Sequence, residues 1–286
     1  MSHESSTKTQ PNRLDAERNV NKISQEMLGV VENESIAENI YRMKLTGNMA
    51  KRMSQPGQFI HLRCADGFAP LLRRPLSICD VDQSASEMSI IYRLEGEGTR
   101  RLSAKQKGDV LDALGPLGRG FPINASGKGD RALIVGGGVG VPPLYYLSKQ
   151  LVARGVQVTH VLGFGSRGAS FLTDEFARLG KTYVTTLDGS LGTKGMVTHV
   201  LDSLPLNSWK TVFACGPVPM LRALSDRFCS RNAPQPAPEV FLSLEERMGC
   251  GIGACFACVC RTPHSDTDYR KVCADGPVFK LGEVII

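Results

Sequence analysis

No stretch of this 286-residue sequence is apolar for long enough to cross a bilayer as a helix, so a membrane-spanning protein is not expected. The first 26 residues contain no apolar core, and a secretory leader is not expected there either. That stretch carries Glu4, Asp15, Glu17 and Glu26, more acid than an organelle transit peptide would hold. Polar, mixed in charge and poor in large apolar residues, residues 1–26 read as a disordered extension. Clustered positive charge is scarce as well. The net charge of +6 is spread along the chain, and Arg73–Arg74 and Arg100–Arg101 are the only adjacent arginines. Solvated faces explain that distribution better than a nucleic-acid footprint. An acid–base constellation is also missing: His61, His160, His199 and His264 are scattered without partner spacing and read as structural. No catalytic side chain is assigned.

Cysteine is what the sequence has. Cys250, Cys255 and Cys258 stand as C-x4-C-x2-C in ERMGCGIGACFACVC, and Cys273 follows after fourteen intervening residues. This is the spacing of a plant-type [2Fe-2S] loop, in which four thiolates hold two irons. Gly249, Gly251, Gly253, Ala254 and Ala257 keep side chains small where the backbone must wrap a cluster, and the glycines permit positive φ. Backbone N–H groups in such a loop can point at the sulfurs and tune the reduction potential. Ile252 and Phe256 are expected to shield it from water. A zinc site would more naturally pair two C-x2-C units across a longer spacer. Disulfides fit poorly with an odd count of nine cysteines and no sign of secretion. Cys260 reads as a small buried hydrophobe on a strand leaving the loop. This cysteine usage points to the reducing cytoplasm.

From Met27 to Ala125 short alternating segments are punctuated by Gly, Pro and Asp, the pattern of an antiparallel barrel. Three pieces stand out: Arg74, Pro75, Leu76 and Ser77 at a strand; Ile91, Tyr92 and Arg93 on the next; and Gly98 with Thr99, where a helix is expected to begin. An arginine, a hydroxyl and a helix N-terminus suit a flavin ring and its phosphates. Each piece alone is an ordinary turn, and only their joint order carries the reading. DVLDALGPLGRGF closes the segment, and residues 125–130 read as a linker.

Beyond the linker the period changes. RALIV is a buried parallel strand, followed by GGGVGVPP and a helical stretch, a nucleotide-binding βα unit. Gly136, Gly137, Gly138 and Gly140 form the turn, without completing a G-x-G-x-x-G fingerprint. QVTHVLGFGSR, FLTDEFARLG, TYVTTLDGS, TKGMVTHVLDSL and TVFACGP continue as strand, helix, strand, helix and strand, a doubly wound sheet. Cys215, Gly216 and Pro217 end a sheet strand, where such sheets bind ligands, although Cys215 by itself reads as a small core residue.

These segments, in this order, resemble the ferredoxin-reductase superfamily, and in particular the electron-transfer subunits of two-subunit, NAD-dependent dihydroorotate dehydrogenases of pyrimidine synthesis. The resemblance runs from Met27 onward and rests on RRPLSI, IYR with GEGT, LGPLGRGF, GGGVGVPPL, ACGPVPM, EERMGCGIGACFACVC and VCADGPVF. It implies an α+β multi-domain fold. An antiparallel β-barrel FAD domain would span 27–125, a doubly wound α/β NAD domain 130–230, and a small C-terminal [2Fe-2S] module 239–286. Arg74, Pro75, Leu76, Ser77, Ile91, Tyr92, Arg93, Gly98 and Thr99 would contact FAD. Gly136, Gly137, Gly138, Gly140, Cys215, Gly216 and Pro217 would contact NAD. Cys250, Cys255, Cys258 and Cys273 would hold the cluster. The implied partner is an FMN-containing dihydroorotate dehydrogenase catalytic subunit, in a heterotetramer with two copies of each chain. Electrons would then pass from dihydroorotate through the partner, the cluster and FAD to NAD+.

Related NADPH-dependent ferredoxin reductase subunits carry Asp at the first cluster position, where this chain has Cys250. Ser166 and Arg167 remain open: an exposed loop, or a pair that holds the 2′-phosphate of NADP. The alternatives are an NAD(P)H-dependent reductase subunit serving ferredoxin, sulfite or sulfur, and a redox-sensing module without turnover. A zinc-stabilised binding protein would leave the flavin segments unexplained.

Overall fold

The computed structural model describes residues 23–67, 69–229, 235–263 and 265–286. Most of the expected N-terminal extension and His264 lie outside these residues. Residues 24–26 already belong to a strand, so the barrel starts earlier than expected.

Six strands close the barrel: β1 (Ser24–Ala37), β2 (Ile40–Thr46), β3 (Phe59–Leu62), β4 (Arg74–Asp82), β5 (Glu87–Arg93) and β6 (Val110–Leu117). They pair antiparallel in the order β1-β2-β5-β4-β3-β6, and closure leaves no open edge. Helix α1 (Glu97–Ser103) sits between β5 and β6. Alternation fills the barrel with Leu28, Met43, Leu45, Ile60, Ile90 and Tyr92, all essentially inaccessible. Burying each such side chain contributes about 1.5–3 kcal/mol.

The second half is built on β7 (Arg131–Gly137), α2 (Pro142–Ala153), β8 (Gln157–Phe164), α3 (Thr173–Leu179), β9 (Lys181–Thr186), β10 (Thr193–Lys194), α4 (Val197–Leu201), β11 (Thr211–Cys215) and α5 (Val218–Cys229). The strand β7 is buried at every position after Arg131, as the continuous run RALIV requires. Leu144, Leu147 and Phe176 from α2 and α3 pack on one sheet face. Val200, Leu221 and Leu224 from α4 and α5 pack on the other, so the sheet is doubly wound. The helix expected from Thr193 is shorter: Thr193 and Lys194 pair with β9, Gly195 turns at φ 119, and α4 begins at Val197.

The C-terminal part adds β12 (Glu239–Ser243), β13 (Val259–Thr262), β14 (Ser265–Lys271) and β15 (Val278–Lys280). The seven-stranded sheet runs β10-β9-β8-β7-β11-β12-β15, with β15 antiparallel at its edge. The expected cluster segment 239–286 is thus anchored in that sheet at both ends, with the cysteine loop and the β13–β14 hairpin between them. Cys258 and Cys273 join Phe59 and Leu117 of the barrel and Leu242 and Phe279 of the sheet in one core. At Gly118, with φ +76, an added Cβ would lie 2.6 Å from Pro277, so the barrel's LGPLGRGF loop seats directly against the chain that follows Cys273.

Candidate functional site

The sheet order reverses between β7 and β11, and the barrel faces that switch point across a cleft of about 250 Å³. Arg74, Pro75, Leu76 and Ser77 of β4, Ile91, Tyr92 and Arg93 of β5, and Thr99 of α1 line one side. Val139, Cys215, Ser243, Leu244, Glu245, Glu246 and Met248 line the other. A floor of strand backbone and apolar side chains, with Arg74, Ser77 and Thr99 along one edge and Glu245 and Glu246 along the other, suits a flat aromatic ring whose anionic tail runs to the arginine edge.

Local structure explains each flavin segment. Gly98 packs against the Arg74 guanidinium, to which an added Cβ would come within 2.7 Å, and Arg74 Nη1 donates to the Leu72 carbonyl. The helix begins at Glu97, earlier than expected, and the Thr99 hydroxyl accepts the N–H groups of Glu95 and Gly96 at 3.0 and 3.1 Å. Thr99 therefore organises the turn from within. Tyr92 contributes to the cleft while its ring stands in the barrel core, its hydroxyl donating to Asn33 Oδ1 at 3.0 Å. Asn33 in turn donates to the carbonyls of Leu102 and Lys105 at the end of α1. Arg93 pairs with Glu95 at 2.7 Å.

At the nucleotide end, Gly140 packs backbone on backbone: an added Cβ would come within 2.5 Å of the main chain of Cys215 and Gly216. Gly137 sits against Met220 and Pro217, and Gly136 against Val141. Gly138, at φ +52, faces open space. The turn and Cys215, Gly216 and Pro217 are thus brought together. The Cys215 thiol is pushed up by burial and then by Glu245, keeping it neutral. Ser166 and Arg167 lie in a loop tied to the turn after β9, with Arg167 N and Nε donating to Ser190 Oγ and O at 2.8 and 3.1 Å.

The strand β12 ends in the cleft at Ser243, and the chain runs directly through Glu245 and Met248 into Cys250. Gly251 and Gly253 turn at φ +74 and +81. The resulting loop points N–H groups at sulfur: Cys255 N to Cys250 Sγ at 3.3 Å, and Gly253 N to Cys273 Sγ at 3.2 Å. For Cys250, burial works to raise the pKa, but donation from the backbones of Cys255 and Ile252 prevails and brings it to about 6. Cys273 is pushed up to about 12 by burial and by Cys258. Cys255 acts on the titration of Cys250 and Cys258 on that of Cys273, which sorts the four thiols into two pairs. Two pairs of thiols with backbone donors fit two bridged irons.

Some expectations change. Ile252 and Phe256 are 48% and 60% exposed, so they do not shield the loop within this chain; Phe256 lies edge-on to Tyr269 and beneath Lys271. Cys260 is half-buried against the sheet core, with its thiol raised to about 11 by burial and by Glu246. Among the histidines, His160 is structural, bonded to Ser148 and Thr182. Sequence reasoning passed over Glu245, an exposed residue lining the cleft whose carboxyl is raised by desolvation. It also gave His61 no place beside the cysteine loop, where burial lowers its pKa to about 4. The signal for Glu245 was its position, five residues before Cys250 and just after a strand that ends in the sheet.

Comparison with known proteins agrees with this geometry. A family model, the iron-sulfur cluster binding domain of dihydroorotate dehydrogenase B, matches residues 245–285. The chain is 55% identical over 264 residues to the dihydroorotate dehydrogenase B (NAD(+)) electron transfer subunit of Geobacillus sp. (strain WCH70), covering 92% of this chain and all of the relative. The Bacillus mycoides (strain KBAB4) subunit of the same name is 52% identical, with 90% and 97% covered. Among solved structures, an NADH-dependent reduced ferredoxin-NADP oxidoreductase superposes with TM-score 0.77 at 28% identity, over 90% of this chain and 89% of that one. A Neisseria gonorrhoeae ferredoxin NADP+ reductase, 14% identical, shares the fold at TM-score 0.62 over 76% of this chain and 97% of its own.

Proposed function

The chain belongs to the family of dihydroorotate dehydrogenase B electron transfer subunits, and from that premise we propose how its residues divide the work. The subunit passes electrons between a dihydroorotate dehydrogenase catalytic partner and NAD+, using a [2Fe-2S] cluster and FAD. The observation that carries the reading is continuity. One segment, from Ser243 to Cys250, leaves the cleft lined by the flavin residues and becomes the cysteine loop. When bound, FAD joins the single-electron chemistry of an iron–sulfur cluster to the electron pair that nicotinamide exchanges.

The chain's own residues bind, orient and exclude water. Arg74, Pro75, Leu76, Ser77, Ile91, Tyr92, Arg93, Gly98 and Thr99 would hold FAD, with Arg74 and Thr99 toward its phosphates. Gly136, Gly137, Gly138, Gly140, Cys215, Gly216 and Pro217 would seat NAD against the cleft, and the neutral Cys215 thiol would add no charge there. Cys250, Cys255, Cys258 and Cys273 would ligate the irons. Residues 27–125, 130–230 and 239–286 would serve as the flavin, nucleotide and cluster parts, the third built on the edge of the second. The relatives' NAD(+) name supports NAD over NADP, and the engagement of Arg167 with Ser190 agrees with it.

The partner would carry FMN, oxidise (S)-dihydroorotate in pyrimidine synthesis, and assemble as a heterotetramer with two copies of each chain in the cytoplasm. Exposed Ile252 and Phe256, and a cavity of about 650 Å³ lined by Ile23, Ile252, Cys273 and Ala274, support docking on the cluster face. Among the described residues no helix is long and apolar enough to cross a membrane.

Anaerobic purification, with iron, sulfide, zinc and flavin measured on one sample, tests the assignment. Two irons, two sulfides and one FAD per chain are expected. Zinc in place of iron, without flavin, would overturn it.

A further inference from the structure

We propose that His61 is a positioning residue for the iron–sulfur loop, its imidazole hydrogen-bonding the backbone at Cys250 in the cluster-loaded protein and fixing the loop against the strand that faces the flavin cleft. The assignment rests on reading the loop as a cluster site. Side chains alternate along β3, so Phe59 and His61 share a face. Phe59 lines the flavin cleft, and these two residues pair with Ser77 and Pro75 of the flavin segment on the neighbouring strand β4. One strand therefore touches both cofactor regions.

His61 is fully buried, and among the described residues neither ring nitrogen has a hydrogen-bond partner. Folded proteins rarely leave such groups unpaired. His160, equally buried, has both ring nitrogens bonded, to Ser148 Oγ at 2.7 Å and Thr182 Oγ1 at 2.9 Å. What lies against the His61 ring is the cysteine loop. A Cβ added to Gly251 would stand 2.6 Å from Nδ1 and 3.3 Å from Cε1, and the backbones of Arg73 and Cys250 both act to favour a proton on the ring. Gly251 adjoins Cys250, whose sulfur receives N–H groups from Ile252 and Cys255. A loop released from His61 would shift those donors, and donors to sulfur set the potential of an iron–sulfur cluster.

The test uses the holoprotein and reads the cluster directly. His61→Phe keeps an aromatic ring without the hydrogen bond. His61→Asn restores a polar atom near the Nδ1 position, and His61→Gln places one near Nε2. With native circular dichroism, the Phe and Gln variants should show an altered electron paramagnetic resonance spectrum of the reduced cluster, a shifted midpoint potential and about tenfold slower flavin-to-cluster transfer, equivalent to roughly 1.4 kcal/mol in the barrier. The Asn variant should return all three toward wild type. If the Phe variant fails to fold, the contrast between Asn and Gln decides. Wild-type spectra and potential in every folded variant would overturn the assignment alone. Wild-type protein without iron would overturn the cluster reading, and the assignment with it.

Discussion

Two glycine-rich stretches serve this protein in opposite ways. In the nucleotide turn, Gly140 is needed for what lies outside it, because an added Cβ would strike the main chain of Cys215 and Gly216 at 2.5 Å. In the cysteine loop, Gly251 and Gly253 are needed first for the backbone itself, which turns there at φ +74 and +81, and also for room beside His61 and Ala274. The first stretch presses two backbones together at the switch point of the sheet. The second wraps the chain around sulfur so that N–H groups point inward. Glycine content alone therefore does not identify a cofactor loop; what a side chain would meet at each position does.

The largest effect should come from breaking the cluster side alone. Cys273→Ser should abolish iron binding and bring dihydroorotate-driven NAD+ reduction by the assembled complex to background, while FAD reduction by NADH survives. Stopped-flow absorbance of the two half-reactions checks it, and a variant that still couples dihydroorotate to NAD+ would place the cluster off the route. Next, Gly140→Ala should break the nucleotide side. A forced main-chain shift at Cys215 should cost about 2–4 kcal/mol of stability in chemical denaturation and weaken NADH-driven flavin reduction, with iron content kept. A smaller loss is expected for Gly253→Ala, where positive φ and a 2.9 Å approach to the Ala274 Cβ act together. About 1–3 kcal/mol and lowered iron retention should result, with nucleotide affinity unchanged by equilibrium titration. Gly138→Ala should be mildest. Its φ of +52 costs about 1–2 kcal/mol, but nothing lies within 4 Å, so thermal melting should shift only slightly. Lowered NADH affinity in that variant would sharpen the comparison, because the open space beside Gly138 would then be where the nucleotide lies.

What could be read from the sequence follows from periodicity and spacing. The barrel strands alternate, the buried strand RALIV is continuous, and four cysteines at fixed spacing state their chemistry without the fold. Other features depend on contacts distant in sequence. The five-residue β12 joins the sheet by parallel pairing with β11, and the three-residue β15 pairs with β12 across the cysteine loop, so no local pattern marks either. A histidine in FIHL reads as an ordinary core residue until Gly251 is found against its ring. The exposure of Ile252 and Phe256 reverses the expected shielding, because a loop bound on one side by Cys258, Val272 and Cys273 in the core must turn other residues outward. Tyr92, expected as a cofactor contact, lines the cleft and also packs in the barrel core, a double role that alternation with Ile91 and Arg93 does not reveal.

The central claim is that electrons reach NAD+ only through this chain's flavin and cluster, from a partner that oxidises dihydroorotate. Purified chain, purified catalytic partner and their mixture should be assayed anaerobically for dihydroorotate-dependent NADH formation. The account predicts activity in the mixture alone, with NADH-driven flavin reduction already present in this chain by itself. Dihydroorotate oxidation by this chain without the partner, or NAD+ reduction by the partner without this chain, would contradict it.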